Sequence, residues 1–236
     1  MKIKLRPAHE RGQAEHDWLH ARFTFSFANY YDPEHCGFHS LIVMNNDIIE
    51  PGGGFPSHPH SDAEIFTYVI RGKLEHQDSM GNGSVIETGD LQYMSAGEGV
   101  RHSEFNPSTD EQTELYQIWM LPDQKGGTPR YAEKKWGEEK MEGENRLLFS
   151  GSGRDGSTKI RQSAEFSMAY LNEKNDLTLN IKKEFPHLWI QIIEGEINLD
   201  PHKLGKADGV GIENQDSPLI ITAKQNTRLF IFRLGT

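Results

Sequence analysis

The sequence predicts an all-β protein built from two copies of one antiparallel β-barrel. The first observation is a series of short apolar runs, rich in Val, Ile, Phe, Tyr and Trp, that are bounded by Gly, Asn, Asp and Pro; such runs are typical of strands. They cover residues 40–44, 65–70, 115–121, 188–193, 219–222 and 229–234. Because short strands at regular spacing fold back on one another, the pattern favours a β-sandwich or barrel.

The second observation is an internal repeat at an offset of 123 residues. Val-Ile-Arg-Gly-Lys-Leu at 69–74 aligns with Ile-Ile-Glu-Gly-Glu-Ile at 192–197, and Phe66 aligns with Trp189. Each copy is an apolar strand, a glycine turn and a second strand. Although any two hairpins share some features, the match favours a duplicated fold. We therefore expect an N-terminal metal-binding domain over residues 1–122, a linker over 123–142, and a C-terminal domain without metal over 143–236.

Turns and helices follow from local composition. Met-Gly-Asn-Gly at 80–83 and Thr-Gly-Asp at 88–90 predict tight turns. Residues 11–20 and the charged residues 131–142 are the two stretches predicted to be helical.

Composition excludes several classes of protein. The formal net charge is -10, which argues against direct binding of nucleic acid because phosphate binding needs a basic face. Cys36 is the single cysteine, so no intrachain disulfide can form. No apolar run approaches the ~20 residues that span a bilayer, and no secretory signal is evident. We expect a cytoplasmic monomer with no membrane contact.

Four residues form the candidate metal site. His58 and His60 are two apart, as are His102 and Glu104. Side chains two apart on a strand point to the same face. If the two strands face each other inside a barrel, three imidazoles and one carboxylate meet, which suits iron, zinc, copper, nickel or manganese.

Glu64 competes with Glu104 for the carboxylate position. Because a second buried carboxylate would overcharge the site, we favour Glu104, which shares a face with His102. Glu64 is expected instead to hydrogen-bond a ligand or neighbouring backbone. His76 could line the cavity but has no paired histidine; it and the remaining histidines are expected to be at the surface or hydrogen-bonded in the core.

The C-terminal half lacks a matching set of ligands. The offset of 123 places Ile181, Lys183 and His187 over His58, His60 and Glu64. No His-x-His or His-x-Glu pair occurs after residue 104. This half is expected to have lost its metal.

These motifs resemble the pirin family of bicupins. The resemblance is carried by His58-Pro-His60 with Glu64, by Ser-Ala-Gly-x-Gly-x-x-His-x-Glu at 95–104, and by the segments at 23–33 and 75–82. The resemblance covers essentially the whole chain. Within the family, the motifs closely resemble those of bacterial pirin-like quercetin 2,3-dioxygenases. Ser95 departs from the general cupin pattern, in which a proline is usual at this position.

The resemblance implies two cupin, or jelly-roll, barrels with one divalent metal held by His58, His60, His102 and Glu104. Iron is the expected ion, with zinc, nickel, cobalt, manganese or copper as alternatives. The implied activity is oxidative opening of a flavonol such as quercetin by dioxygen, with release of carbon monoxide. Glu104 would accept the proton of the flavonol 3-hydroxyl as the catalytic base.

Two other functions remain open from the sequence. A cupin enzyme acting on another small substrate would use the same metal site, because a fold does not determine a reaction. The resemblance also allows a metal-binding, pirin-like regulator that interacts with transcription factors, and the acidic net charge of this chain would suit docking to a basic partner. Turnover of a flavonol separates the first function from both alternatives.

Overall fold

The structure is a computed structural model that describes residues 2–135, 145–173 and 175–235. These residues contain 22 strands, two short 3-10 helices (Ala8–Glu10 and Arg154–Gly156) and no α-helix. The prediction of an all-β chain is therefore confirmed. None of the described segments forms a helix that could cross a membrane.

The strands are numbered in chain order. The first twelve are β1 (Lys2–Arg6), β2 (Gly12–His16), β3 (Leu19–Phe23), β4 (Leu41–Ile49), β5 (Gly54–His60), β6 (Glu64–Arg71), β7 (Lys73–Asp78), β8 (Gly83–Glu87), β9 (Leu91–Ser95), β10 (Val100–Phe105), β11 (Thr113–Met120) and β12 (Arg130–Lys134). The other ten are β13 (Asn145–Ser150), β14 (Thr158–Lys159), β15 (Ala164–Leu171), β16 (Asp176–Leu179), β17 (His187–Glu194), β18 (Ile197–Leu199), β19 (His202–Leu204), β20 (Gly209–Glu213), β21 (Leu219–Ala223) and β22 (Thr227–Leu234).

The chain divides into two compact units, Gly12–Gly137 and Met1–Arg11 with Glu138–Thr236. The N-terminal strand β1 belongs to the second unit, because it pairs antiparallel with β20. The domain boundaries expected from the sequence, at residues 122 and 142, stay a prediction.

Each unit has a seven-stranded and a four-stranded sheet, and their strand orders match except for the two edge strands of the larger sheet. In the first unit the orders are β12-β9-β6-β11-β4-β3-β2 and β5-β10-β7-β8; in the second they are β1-β20-β17-β22-β15-β13-β14 and β16-β21-β18-β19. The repeat found in the sequence is thus a repeat in structure. Gly72 (φ +81°) and Gly195 (φ +92°) occupy equivalent turns, where positive φ favours glycine.

Both helix predictions are wrong wherever the structure describes the residues. Residues 11–20 contribute to β2 and β3, and residues 130–134 form β12. On β3 the side chains of Leu19, Ala21 and Phe23 are buried in alternation with half-buried neighbours, which is the period of a strand. Residues 136–142 lie outside the described residues.

The interior of the first unit contains two apolar clusters with polar residues between them. One cluster includes Val69 and Leu115, and the other includes Ile65 and Met94. Because interior positions alternate along a strand, Thr67 lies between the clusters on β6. The candidate site lies at this level.

Candidate metal centre

The paired strands β5 and β10 bring the predicted ligands together. His58 and His60 lie on β5, His102 and Glu104 lie on β10, and His102 is directly opposite His58. On β10 both His102 and Glu104 are buried while the residue between them is less so. The expectation that each pair shares one face of its strand agrees with this geometry.

Three imidazoles converge on one point. The ring centroids are 4.7 Å apart for His58 and His60, 4.5 Å for His58 and His102, and 4.8 Å for His60 and His102. One ring nitrogen from each residue lies within 4.8 Å of the others. This is the spacing at which three nitrogens can share one ion.

A hydrogen bond to the backbone orients the ring of His58 toward His102. The Nδ1 of His58 lies 2.8 Å from the carbonyl oxygen of Pro56, so it carries the proton and donates. The lone pair is then on Nε2, which is 3.0 Å from Nε2 of His102. This contact is a hydrogen bond from His102 to His58 when His102 carries its proton on Nε2, and both Nε2 atoms can bind one cation when His102 carries it on Nδ1. A partner carbonyl that fixes the ring is typical of metal-binding histidine.

The rings are also held in the form that binds metals. Burial lowers the pKa of His102 to about 3, with further lowering by His58 and His76. Burial and the neighbouring His102 and His58 lower the pKa of His60 to about 4. Both imidazoles are therefore neutral at pH 7, as ligation requires. The buried Nδ1 of His102 has no hydrogen-bond partner. These observations fit a first-row divalent ion.

Glu104 lies beside this triad rather than within it. A carboxylate oxygen of Glu104 and one ring nitrogen each of His102 and His76 lie within 4.8 Å of one another. His102 therefore belongs to both sets of candidate ligands. Thr67 donates to Oε1 at 3.2 Å and Gln117 donates to Oε2 at 3.0 Å. Each oxygen keeps a second lone pair. The carboxylate is thus held at the edge of the triad with acceptor capacity to spare.

His76 is closer to the centre than the sequence indicated. It is fully buried, and its ring centroid is 5.3 Å from that of His102. Asp78 contacts Nε2 at 3.4 Å and Gln92 contacts Nδ1 at 3.4 Å. Both ring nitrogens of His76 therefore have side-chain partners, and its ring packs beside that of His102. From the sequence, His76 could line the cavity, but it had no paired histidine to mark it as part of the site.

A row of buried polar side chains crosses four neighbouring strands behind the centre. The register aligns Asn45 with Gln117, Gln117 with Thr67, and Thr67 with Gln92. Gln117 and Thr67 bond Glu104, and Gln92 contacts His76. Sequence reasoning missed this row, because polar residues in separate strands carry no shared motif.

Glu64 is held by two hydroxyl side chains of the neighbouring strand β9. It is buried, and its carboxylate accepts hydrogen bonds from the hydroxyls of Tyr93 and Ser95, each at 2.5 Å. Burial and the nearby Glu64 raise the pKa of Tyr93 above its ordinary value, so Tyr93 stays a donor. These two bonds go to side chains; the expected bond of Glu64 to a metal ligand or to backbone stays a prediction. Ser95, the departure from the cupin pattern, is one of the two donors.

The equivalent positions of the second unit are apolar. By strand pairing, Leu179 on β16 and Leu219 on β21 lie opposite each other, as His58 and His102 do. Leu199 and Ile221 correspond to His76 and Glu104. Leu179, Leu199 and Ile221 belong to one buried hydrophobic cluster, and the partly buried Leu219 and Ile181 pack against it. The offset of 123 placed Ile181 over His58; the strands show that Leu179 is the counterpart and that Ile181 corresponds to His60.

A cavity of about 430 Å³ adjoins the centre within the same unit. Phe55 lines it, and the Phe55 ring centroid is 6.3 Å from that of His58. Phe27 also lines it and contacts Trp119 at 5.6 Å, while Trp119 contacts His60 at 4.8 Å. Phe55 is therefore shared by the cavity and the centre, and Trp119 lies between Phe27 of the cavity wall and His60.

The fold and the site define a protein of two cupin-type units, in which one unit carries a histidine-rich centre and the other an apolar core. The Pirin family model matches residues 4–120, and the model for the quercetinase C-terminal cupin domain matches residues 147–234. The chain belongs to the pirin family.

Its relatives align along nearly the whole chain. A protein of Escherichia coli K12 named quercetin 2,3-dioxygenase is 44% identical over 232 residues, covering 98% of each chain. A pirin-like protein of Caulobacter vibrioides is 37% identical over 230 residues, covering 97% of this chain and 98% of the relative.

Solved structures agree. The E. coli pirin YhhW in complex with nickel(II) has a TM-score of 0.94 at 43% identity, covering 99% of each chain. Quercetin 2,3-dioxygenase of Acinetobacter baumannii, at 20% identity, has a TM-score of 0.77 over 98% of this chain and 85% of that one, and supports the fold alone.

Proposed function

We propose that the protein is a metal-dependent dioxygenase that opens flavonols such as quercetin with dioxygen and releases carbon monoxide. The observation that carries the proposal is the convergence of His58, His60 and His102 beside Glu104, next to an aromatic cavity. The 44% identity to a relative named quercetin 2,3-dioxygenase supports the substrate class.

His58, His60, His102 and Glu104 are the proposed ligands. Three neutral imidazoles and one carboxylate leave positions open for substrate. The bound ion would act as a Lewis acid that lowers the pKa of the flavonol 3-hydroxyl and provides the site of reaction with dioxygen. Iron is the proposed ion; the solved complex of the similar E. coli pirin YhhW with nickel(II) supports a first-row metal at this centre.

Glu104 is the proposed general base. It is buried at the edge of the imidazole triad, so a substrate hydroxyl near the triad is also near its carboxylate. Hydrogen bonds from Thr67 and Gln117 hold the carboxylate in one orientation and leave a lone pair on each oxygen. The proton leaves the 3-hydroxyl and is held on Glu104.

The aromatic side chains exclude water and orient the substrate. Phe55 and Trp119 lie against His58 and His60. A flat flavonol would stack on these rings while its 3-hydroxyl points to the triad. A low-dielectric wall strengthens each electrostatic contact in the site.

The test couples metal analysis to turnover. Protein purified without added metal should contain about one equivalent of metal, and should consume quercetin only when dioxygen is present. His58→Ala should abolish both metal content and turnover. His9→Ala changes an exposed histidine of the other unit and serves as the matched control, which should keep both.

Glu104→Gln separates binding from catalysis. The amide keeps the size of the side chain but cannot accept the proton, so turnover should fall at least 100-fold with metal retained. Full activity in this variant would overturn the role of Glu104. Metal without any flavonol turnover in the wild type would overturn the dioxygenase proposal.

The monomeric state and the cytoplasmic location stay predictions from the sequence. So do the two alternatives, an enzyme acting on another small substrate and a regulator that interacts with transcription factors.

A further inference from the structure

The cavity beside the metal centre has an apolar wall and a polar floor. Five aromatic side chains line the wall: Trp18, Phe23, Phe27, Tyr30 and Phe55. They contact one another, with ring centroids 5.0 Å apart for Trp18 and Phe55, 5.5 Å for Phe23 and Phe27, and 6.4 Å for Phe23 and Tyr30. A cavity of about 430 Å³ is in the size range of small-molecule pockets.

One side of the aromatic wall depends on the glycine at position 12. A Cβ added to Gly12 would lie 2.3 Å from the ring of Tyr30, so only glycine lets Tyr30 lie against β2. The hydroxyl of Tyr30 bonds Asp32 at 3.2 Å. The ring is therefore fixed in place as one side of the cavity.

Asn45 on the floor has a hydrogen-bond acceptor with no partner. Its side chain is 2% exposed, and its Oδ1 is buried without a hydrogen bond among the described residues. Asn45 nevertheless lines the cavity, together with Asp47 two residues later on the same face of β4. Leaving a buried carbonyl unpaired costs about 1–3 kcal/mol, so a ligand that donates to it would bind more tightly.

Asn45 is also close to the centre. It is directly opposite Gln117 in the β4–β11 register, and Gln117 donates to Glu104 at 3.0 Å. Directly opposed residues in an antiparallel pair are about 4.5–5.5 Å apart between Cα atoms. A ligand bound at the metal can thus reach Asn45 with its far end.

We propose that Asn45 is a specificity-determining residue whose carbonyl accepts a hydrogen bond from a phenolic hydroxyl of the substrate remote from the metal-binding group. This inference rests on the proposed function for its substrate class and adds a polar subsite to it. The site selects polyhydroxylated flavonols over flavonols that carry the 3-hydroxyl alone. A site that is built to bond a hydroxyl discriminates strongly against the analogue that lacks it.

The test compares two ligands, quercetin and 3-hydroxyflavone, which has no other hydroxyl. Dissociation constants are measured without dioxygen on metal-loaded protein, from the change in flavonol absorbance. We expect quercetin to bind the wild type at least tenfold more tightly than 3-hydroxyflavone. Asn45→Leu should reduce that ratio about tenfold, and should leave the affinity for 3-hydroxyflavone unchanged or higher.

Two further variants control for folding. Asn45→Asp keeps an acceptor at the same place and should keep the ratio above that of Asn45→Leu. Asn46→Ala changes the next residue of β4, whose side chain bonds Leu115 and Glu114 and does not line the cavity; its ratio should equal that of the wild type. A ratio that is unchanged in Asn45→Leu would overturn the proposal.

Turnover on the same samples distinguishes the two proposals. If quercetin is consumed but the ratio does not depend on Asn45, the dioxygenase proposal stands and the Asn45 subsite is wrong. If the ratio depends on Asn45 but quercetin is not consumed, the subsite stands and the dioxygenase proposal is wrong.

Discussion

The Nε2 atoms of His58 and His102 face each other at 3.0 Å across the β5–β10 pair. His58 is fixed in this orientation by the carbonyl of Pro56, which accepts from its Nδ1 at 2.8 Å. Without metal, neutral His102 can place its proton on Nε2 and donate to Nε2 of His58. A cation bound by both Nε2 atoms takes the place of this proton. The geometry thus links metal binding to the stability of the first unit.

A divalent metal should raise the thermal stability of metal-free protein. At 100 times the dissociation constant, a ligand that binds only the folded state adds about 2.7 kcal/mol to the free energy of unfolding. We expect Tm, measured by calorimetry, to rise by several degrees when either Ni²⁺ or, in the absence of dioxygen, Fe²⁺ is added. His58→Ala should lose the rise and His9→Ala should keep it; a rise that persists in His58→Ala would contradict the assigned ligand.

Stability of the metal-free protein should fall in mild acid. The pKa of His102 is about 3 in the folded state, against 6.5 for an ordinary histidine. Between these values the unfolded chain binds a proton that the folded chain rejects, so the free energy of unfolding decreases as pH falls below about 6.5. One such group contributes up to about 1.4 kcal/mol per pH unit.

Urea denaturation at pH 6.5 and pH 5 measures this effect. His102→Leu removes the group, so its stability should change less between the two pH values than that of the wild type. Equal changes in both proteins would show that His102 does not titrate as inferred.

Gln117→Leu should impair catalysis more than metal binding. The substitution removes the amide that donates to Glu104 at 3.0 Å and leaves one oxygen of a buried carboxylate with less support. We expect a loss of about 1–3 kcal/mol in stability and roughly tenfold in kcat, with metal content near that of the wild type. The conservative variant Gln117→Asn keeps the amide but shortens the side chain. Its kcat should fall, while its stability should fall less than that of Gln117→Leu. An unchanged kcat in Gln117→Leu would show that the hydrogen bond from Gln117 to Glu104 does not support catalysis.

Leu199→Ala should destabilise the protein and leave its metal content unchanged. Leu199 is 3% exposed in the apolar cluster of the second unit, and truncation of a buried leucine costs about 2–5 kcal/mol. Chemical denaturation and elemental analysis on the same sample check both parts. Loss of metal in a folded Leu199→Ala protein would contradict a purely structural role for this cluster.

Several features of the fold were readable locally. The strands at 65–70 and 115–121 correspond to β6 and β11, because short apolar runs between turn residues suffice to define them. The helix predicted at 11–20 failed because its charged residues masked an alternation that begins only at Leu19 on β3. The repeat at an offset of 123 holds for the β6 hairpin. The ligand strand β5 corresponds to β16 at an offset of 121 and β10 corresponds to β21 at an offset of 117, because the intervening connections differ in length.

The sequence by itself determined one His-x-His pair and one His-x-Glu pair, since a spacing of two is a property of a single strand and needs no partner strand. Tertiary structure alone decided how the pairs meet. The β5–β10 register set His58 against His102. The barrel interior placed His76, Thr67 and Gln117 around Glu104 and sent Glu64 to Tyr93 and Ser95. These contacts join residues that are tens of positions apart, and the cross-strand pairing that creates them has no local signature.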